Sequence, residues 1–335
     1  MPKFTKTMNN KVYIPSTIVS RRPFIFISFF EDFLNWKNEF AIWIKKNYRH
    51  KNIYALFNLG WNYEDCHRVS FLKEELDKLK LIIKNINIIF LCNSLIELNN
   101  FKEIGENCIF CSQNAFLKEN RYLVTRQRKV YDAIYLARIT PFKRHELAQN
   151  IQRLLLIGSY SQKEQNYAKS ILDKLKNNAT HIEKVRGIFM FRYINQAKVG
   201  LGLSEEEGAM YAATEYGLCG VPLVTTRNKG GREQSLCPDY VHILETDYPT
   251  PQNVAEAVEF ISEQNFSPVK IRNSTIQVLN QHRSRFKELI RNIHKESKEG
   301  TEKDFENSIK FPHKFGLRCR TWPFFRYFRG MKINK

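Results

Sequence analysis

The residues with the clearest chemistry lie in Val199–Leu236, which reads VGLGLSEEEGAMYAATEYGLCGVPLVTTRNKGGREQSL. Two carboxylates stand there eight positions apart, Glu207 and Glu215. On one helix they would sit about 12 Å apart along the axis and about 80° apart around it, looking onto the same side. That is too far for a hydrolytic acid–base pair, whose carboxyls lie about 5–10 Å apart. It suits the two ends of one elongated ligand, with hydroxyls at either end and phosphates between, as a nucleotide sugar has. Spacing alone leaves a plainer reading open, in which Glu207 caps a helix and Glu215 is a solvated helix carboxylate.

A second group is cationic. Arg138 closes an apolar run and Lys143 follows at an expected helix start. A strand-end loop carrying Arg and Lys beside a helix N-terminus is a good anion site. Arg144 reads as a solvated side chain. Gly230-Gly231 would let backbone N–H groups approach a ligand closely, and Gly158 follows another apolar run. Asn228, Lys229, Arg232 and Glu233 take no role from the sequence.

The elements that would position these groups follow from local pattern. Val199–Leu203 reads as a buried strand. Ser204 with Glu207 three residues on is a capping-box signature, so a helix is expected over Ser204–Leu218. Gly217, Gly220 and Pro222 end it. Val221–Thr226 is the next strand, and 228–231 a glycine turn.

Ser204-x-x-Glu207-Gly208, then Glu215, then Gly220-x-Pro222, resembles the Glu-x7-Glu signature of retaining glycosyltransferases of the family 4 type. The resemblance implies an α/β chain of GT-B fold: two Rossmann-like, doubly wound domains with a donor cleft between them. It implies that Glu207 contacts the donor sugar and Glu215 the ribose. Arg138 and Lys143 would hold the donor diphosphate, with Gly158, Gly208, Gly230 and Gly231 lining the donor site. It also implies that a nucleoside diphosphate sugar is a substrate rather than a cofactor. No His, Asp and Glu cluster has metal-ligand spacing, so no obligatory metal is expected. The sequence departs from the pattern at Ala137 and Arg144, where glycine is usual, and at Glu233, one position early. The resemblance covers Tyr131–Leu236.

At 335 residues the chain has room for two cores. Expected strands in the first half are Pro23–Phe29, Ile53–Leu59, Ile86–Cys92 and Cys108–Cys111, with helices over Asp32–Asn47 and Phe71–Lys84. The stripe Phe33, Trp36, Phe40 and Trp43 reads as core. The polar stretch Lys118–Lys129 marks a boundary. Beyond it the expected strands are Ala133–Ala137, Arg153–Ile157, His181–Val185, Val199–Leu203, Val221–Thr226 and Val241–Leu244. Helices are expected over Lys143–Ile151, Gln162–Lys176, Pro251–Glu263 and Ile271–Glu296. This gives an N-terminal acceptor-side domain at 1–125, a nucleotide-sugar domain at 126–296, and a charged linker and tail at 297–335. The N-terminal domain looks trimmed. Its first strand runs into Ser28-Phe29-Phe30-Glu31-Asp32, with no glycine-rich loop, and residues 1–22 read as partly loose.

The formal charge of +19 attracts polyanions without choosing among them. The tail from Phe311 mixes Arg and Lys with Trp322, Phe324, Phe325, Tyr327 and Phe328. It fits either an anionic membrane surface or packing back on the N-terminal domain; nucleic acid is a weaker fit. Seven cysteines lack a paired zinc spacing, so Cys108 and Cys111 read as reduced near-core thiols. His50 and His67 read as exposed. No run reaches a membrane span and the first residues, MPKFTKTMNNK, lack the apolar core of a secretory signal, so a cytoplasmic location is expected, with the basic tail offering a route to the membrane face. The expected partners are a nucleotide sugar and an acceptor glycan or lipid-linked sugar, in polysaccharide or glycolipid assembly. A catalytically silent nucleotide-sugar-binding partner protein and a sugar-nucleotide epimerase are the alternatives.

Overall fold

The computed structural model describes residues 11–14, 16–35, 37–48, 51–311, 313–314 and 331–334. The chain divides into two compact units, Met1–Leu117 with His282–Lys335, and Lys118–Gln281. The division falls ahead of the boundary expected after Thr125. The segment expected to stand apart at 297–335 belongs to the first unit.

The first unit contains β1 (Lys11–Ile14), β2 (Ser16–Arg21), β3 (Phe24–Phe29), α1 (Phe30–Leu34), α2 (Lys37–Asn47), β4 (Ile53–Asn58), α3 (Cys66–Ile82), β5 (Ile86–Cys92), α4 (Leu95–Glu103) and β6 (Asn107–Phe110). Its main sheet has the order β2-β3-β4-β5-β6. β3 to β6 are parallel and β2 pairs antiparallel with β3. β3 and β4 are buried throughout, as continuous apolar runs are when both faces of a sheet are covered. The two-residue alternation divides them. Phe24, Phe26, Phe57 and Phe90 pack with the residues of α1 to α4. Ile25, Ile27, Leu56 and Leu91 form the opposite layer.

Several expectations change here. β1 and β2 were missed within a stretch read as loose, although Thr17–Val19 is a β-branched run. α4 was also missed. The single helix expected over Asp32–Asn47 is two, α1 and α2. Phe33 and Phe40 are fully buried and Trp43 packs against them, so the aromatic stripe is core; Trp36 lies outside the described residues, as does His50. α3 starts earlier than expected, because the Asp65 carboxylate accepts the His67 N–H at 2.9 Å. His67 is exposed, Cys111 buried and Cys108 half-buried.

The second unit contains β7 (Tyr131–Leu136), β8 (Leu154–Ile157), α5 (Gln165–Leu175), β9 (Ala179–Ile182), α6 (Met190–Ile194), β10 (Ala197–Gly202), α7 (Tyr211–Leu218), β11 (Leu223–Thr226), β12 (Val241–Leu244) and α8 (Pro251–Glu263). All six strands are parallel, in the order β12-β11-β10-β7-β8-β9. The chain winds outward from β7 through β8 to β9. It then returns to the other side of β7 and winds through β10 and β11 to β12. This is the doubly wound arrangement expected. Only the short helix α6 was not anticipated in it.

A long helix, α9 (Pro268–Ser297), passes from the second unit to the first, followed by α10 (Glu302–Ser308) and β13 (Met331–Asn334), which pairs antiparallel with β1. Phe286, Ile290, Ile293 and Phe305 cover the second face of the first unit's sheet. Phe311 packs edge-on against Phe116 and Phe286 at 5.4 and 5.3 Å. Trp322, Phe324, Phe325, Tyr327 and Phe328 lie outside the described residues. Among the described residues no helix is long and apolar enough to cross a membrane.

Candidate functional site

In an open α/β sheet, ligands bind beyond the carboxyl ends of the strands, where the winding direction reverses. The second unit reverses between β7 and β10. The described strands of the first unit run in sequence order and offer no such reversal. The residues that follow β7, β10 and β11 are therefore the place to look.

Arg138 follows β7 and is exposed. Lys143 follows in a turn of 3-10 helix, Pro141–Lys143, and is only 6% exposed. The α-helix expected over Lys143–Ile151 does not form; two short 3-10 turns take its place. Arg144 between them adopts the left-handed conformation, φ 50°, where the related pattern has glycine. Tyr135, fully buried on β7, donates its hydroxyl to the Lys143 carbonyl at 2.6 Å. The turn is thereby fixed on the strand.

After β10 the chain does not enter a helix at Ser204. It bends at Glu205 and Gly208, Glu206 bridges to Lys229, and the Glu207 N–H donates to the Lys229 carbonyl at 3.0 Å. α7 begins only at Tyr211. Glu207 and Glu215 thus do not share a helix, and the spacing drawn from one is superseded. The capping pair does exist as side chains, since Ser204 Oγ donates to Glu207 Oε2 at 2.7 Å. The other oxygen, Oε1, takes Lys143 Nζ. Burial pulls the Lys143 ammonium below its ordinary range, and the Glu207 charge works against that pull.

Glu215 lies on α7, 7% exposed, and accepts the Tyr122 hydroxyl at 2.8 Å. It is not a solvated helix carboxylate. Its neighbour Tyr216 fixes the helix on the sheet. That ring fills the space where Gly200 has no Cβ, and its oxygen accepts the Leu136 N–H at 2.7 Å.

Gly208, Gly230 and Gly231 are buried beside this loop. Gly230 and Gly231 have φ of 112° and 75°, values that L side chains seldom adopt. Gly158 sits after β8 where a Cβ would stand 1.8 Å from the Ala137 carbonyl oxygen. It permits the close approach of the β8 end to the chain that leads into Arg138.

Sequence reasoning missed three residues. Arg232 is fully buried. It donates from Nη1 to Ser204 Oγ at 2.7 Å and to the Ser204 carbonyl at 3.0 Å, and from Nη2 to the Thr226 carbonyl at 3.1 Å. Arg144, expected in solvent, instead donates from Nε to the Leu203 carbonyl at 2.6 Å and from Nη2 to Thr226 Oγ1 at 2.5 Å. His145 is buried, and burial, with Lys143 nearby, pulls its pKa down to about 4. Only the charge of the two arginines was visible in sequence. Lys143 pairs directly with Glu207, Arg232 reaches it through Ser204, and Arg144 stands 3.9 Å from the exposed Glu205. Among the described residues no cluster of three or more His, Cys, Asp or Glu could hold a metal ion.

No family model matches the chain, and no curated protein matches it in sequence. Solved structures do match in fold. HepE of Anabaena, in complex with UDP and glucose, is 16% identical with a TM-score of 0.51, covering 69% of this chain and 67% of that one. A TarM variant of S. aureus, in complex with fondaparinux, α-GlcNAc-glycerol and UDP, is 16% identical with a TM-score of 0.51, covering 81% of this chain and 54% of that one. Sucrose-phosphate synthase of Thermosynechococcus elongatus is 14% identical with a TM-score of 0.53, covering 76% of this chain and 74% of that one. The fold of the two parallel-sheet α/β units is GT-B.

Proposed function

We propose that this chain is a retaining glycosyltransferase of the family 4 type, moving a sugar from a nucleoside diphosphate sugar to an acceptor hydroxyl. The observation that carries the reading is the group Lys143, Ser204 and Glu207 at the carboxyl ends of β7 and β10. It stands at the reversal of winding, where this sheet type binds nucleotides.

Each residue then has a physical task. As the bond between the sugar's anomeric carbon and the diphosphate breaks, negative charge builds on the leaving phosphates. Arg138 and Lys143 stabilise that charge, and they accelerate the reaction to the extent that their hold tightens in the transition state. Glu207 accepts hydrogen bonds from sugar hydroxyls with the lone pairs that Ser204 and Lys143 leave. Glu215, set by Tyr122, holds the ribose end. The N–H groups around Gly208, Gly230 and Gly231 close on the donor, and Gly158 lets the β8 end approach it. The neighbours solved with UDP make uridine diphosphate sugars the first donors to try. The formal charge of +19 favours an acceptor carried on an anionic surface, such as a lipid-linked glycan at the cytoplasmic membrane face.

The test is turnover of a panel of nucleoside diphosphate sugars with glycan and lipid-linked acceptors, with the anomeric configuration of the product read by NMR. The reading expects transfer with retained configuration, and a fall in kcat of about a hundredfold or more in Lys143→Ala, the scale of losing one charge-stabilising donor. Transfer with inversion would remove the retaining assignment. Absence of transfer and of donor hydrolysis across the panel would remove the enzyme reading.

A further inference from the structure

We propose that Arg232 is a positioning residue of this site: it sets the direction of the Ser204 hydroxyl, and through it presents Glu207 to the ligand. What Glu207 is presented to rests on the function proposed above; the relay itself does not.

A guanidinium only donates. With Nη1 donating to Ser204 Oγ at 2.7 Å, that oxygen is an acceptor on one side. Its single proton must then point elsewhere, and Glu207 Oε2 lies 2.7 Å away. Ser204 is 0% exposed, so bulk water does not compete for that proton. The direction Arg232 to Ser204 to Glu207 is therefore fixed. Two further bonds, to the Ser204 and Thr226 carbonyls, hold the guanidinium plane. Gly202 makes room for it, since a Cβ there would stand 3.1 Å from Nε. A lysine has one nitrogen and cannot make this set of bonds from one place.

Glu207 is consequently gripped from three strand ends: Lys143 after β7, Ser204 after β10, and Arg232 after β11 through Ser204. Burying an arginine this completely adds little net stability, because desolvation offsets what the bonds return. Its effect is geometric. It decides which lone pairs of Glu207 remain for hydroxyl donors, and so which sugar hydroxyls the site accepts.

The test needs no donor. Wild type, Arg232→Met, Arg232→Lys and Ser204→Ala are treated with limiting acetic anhydride, and acetylation of Lys143 is followed by peptide mass spectrometry. Amide exchange of β10 is measured alongside, to register any loosening of the sheet. If the relay holds Glu207 against Lys143, acetylation of Lys143 rises about tenfold in Ser204→Ala and in the charge-conserving Arg232→Lys, the scale of one charge-assisted hydrogen bond, and β10 exchange is unchanged. Arg232→Met gives a smaller rise, because losing that cation also removes its downward pull on the Lys143 ammonium. Should Arg232→Met fail to fold, Ser204→Ala carries the test alone. Unchanged protection of Lys143 in Ser204→Ala would overturn the proposal, and so would a rise matched by faster exchange across β10. A second reading comes from donor kinetics: discrimination between epimeric donor sugars relaxes in Arg232→Met, while the affinity for the nucleotide alone holds. Loss of nucleotide affinity with discrimination retained would also overturn it.

Discussion

His145 is buried beside Lys143, and its folded pKa of about 4 lies below the ordinary value of 6.5. Between those values the unfolded chain takes up a proton that the native imidazole refuses. Stability of the second unit is thus lost as pH falls from 6.5 toward 4, by about 3 kcal/mol if the whole shift is expressed. His145→Phe should flatten that slope in chemical denaturation at pH 7 and pH 4. Arg144 is a second residue-scale case. Arg144→Gly relieves about 1 kcal/mol of left-handed strain but removes two charge-assisted bonds, each worth about 1.5–3 kcal/mol. A net loss of about 2–5 kcal/mol is expected in denaturant titration. The charges of Arg138, Lys143 and Glu207 were legible because a motif spaces them. The roles of Arg144, Arg232 and His145 were not, because burial is set by distant segments that local sequence does not encode.

The strands were the most legible elements, since each is a short apolar run bounded by turn residues. The helix after β10 was misread for a definite reason. Ser204 and Glu207 do make the side-chain bond of a capping box. The backbone between them instead pairs with Lys229, and that tertiary pairing overrides the local signal. The loop after β10 is in this way a product of β11 as much as of β10. At the neighbouring loop, Gly158→Ala would drive a methyl into the Ala137 carbonyl. It should displace the chain carrying Arg138, with a stability loss of about 2 kcal/mol or more. Nucleotide binding should fall with it, as calorimetry would report.

Each unit holds a buried group, and the two have opposite pH responses. In the first, Glu97 is fully buried and accepts the N–H groups of Tyr63 and Asn93 at 3.1 and 2.7 Å. Burial nonetheless pushes its carboxyl up to about 8, from an ordinary 4.5. The unfolded chain releases this proton above pH 4.5 while the native unit keeps it, so stability falls as pH rises from 4.5 through 8. Glu97 then contributes most to the first unit in mild acid, where His145 is weakening the second. Hydrogen exchange followed separately in β3–β5 and in β7–β11 tests this, and Glu97→Gln should shrink the response of the first unit, leaving the part carried by the buried Glu31 carboxyl, and leave the second unit unchanged. Two-domain architecture was visible in the two rounds of strand and helix. The return of α9 and α10 to the first unit was not, because chain order does not show which sheet face a terminal helix will cover.

The central claim is that the second unit holds a nucleoside diphosphate at the β7/β10 reversal, through Arg138 and Lys143. Its most direct test is calorimetric titration of UDP, GDP and ADP, and of their sugars, into wild type, Arg138→Ala and Lys143→Ala. We predict saturable binding of at least one, weakened about tenfold or more in each variant, as loss of one charge-assisted contact requires. Binding that is unaffected in both variants, or no binding of any nucleotide to wild type, would contradict it.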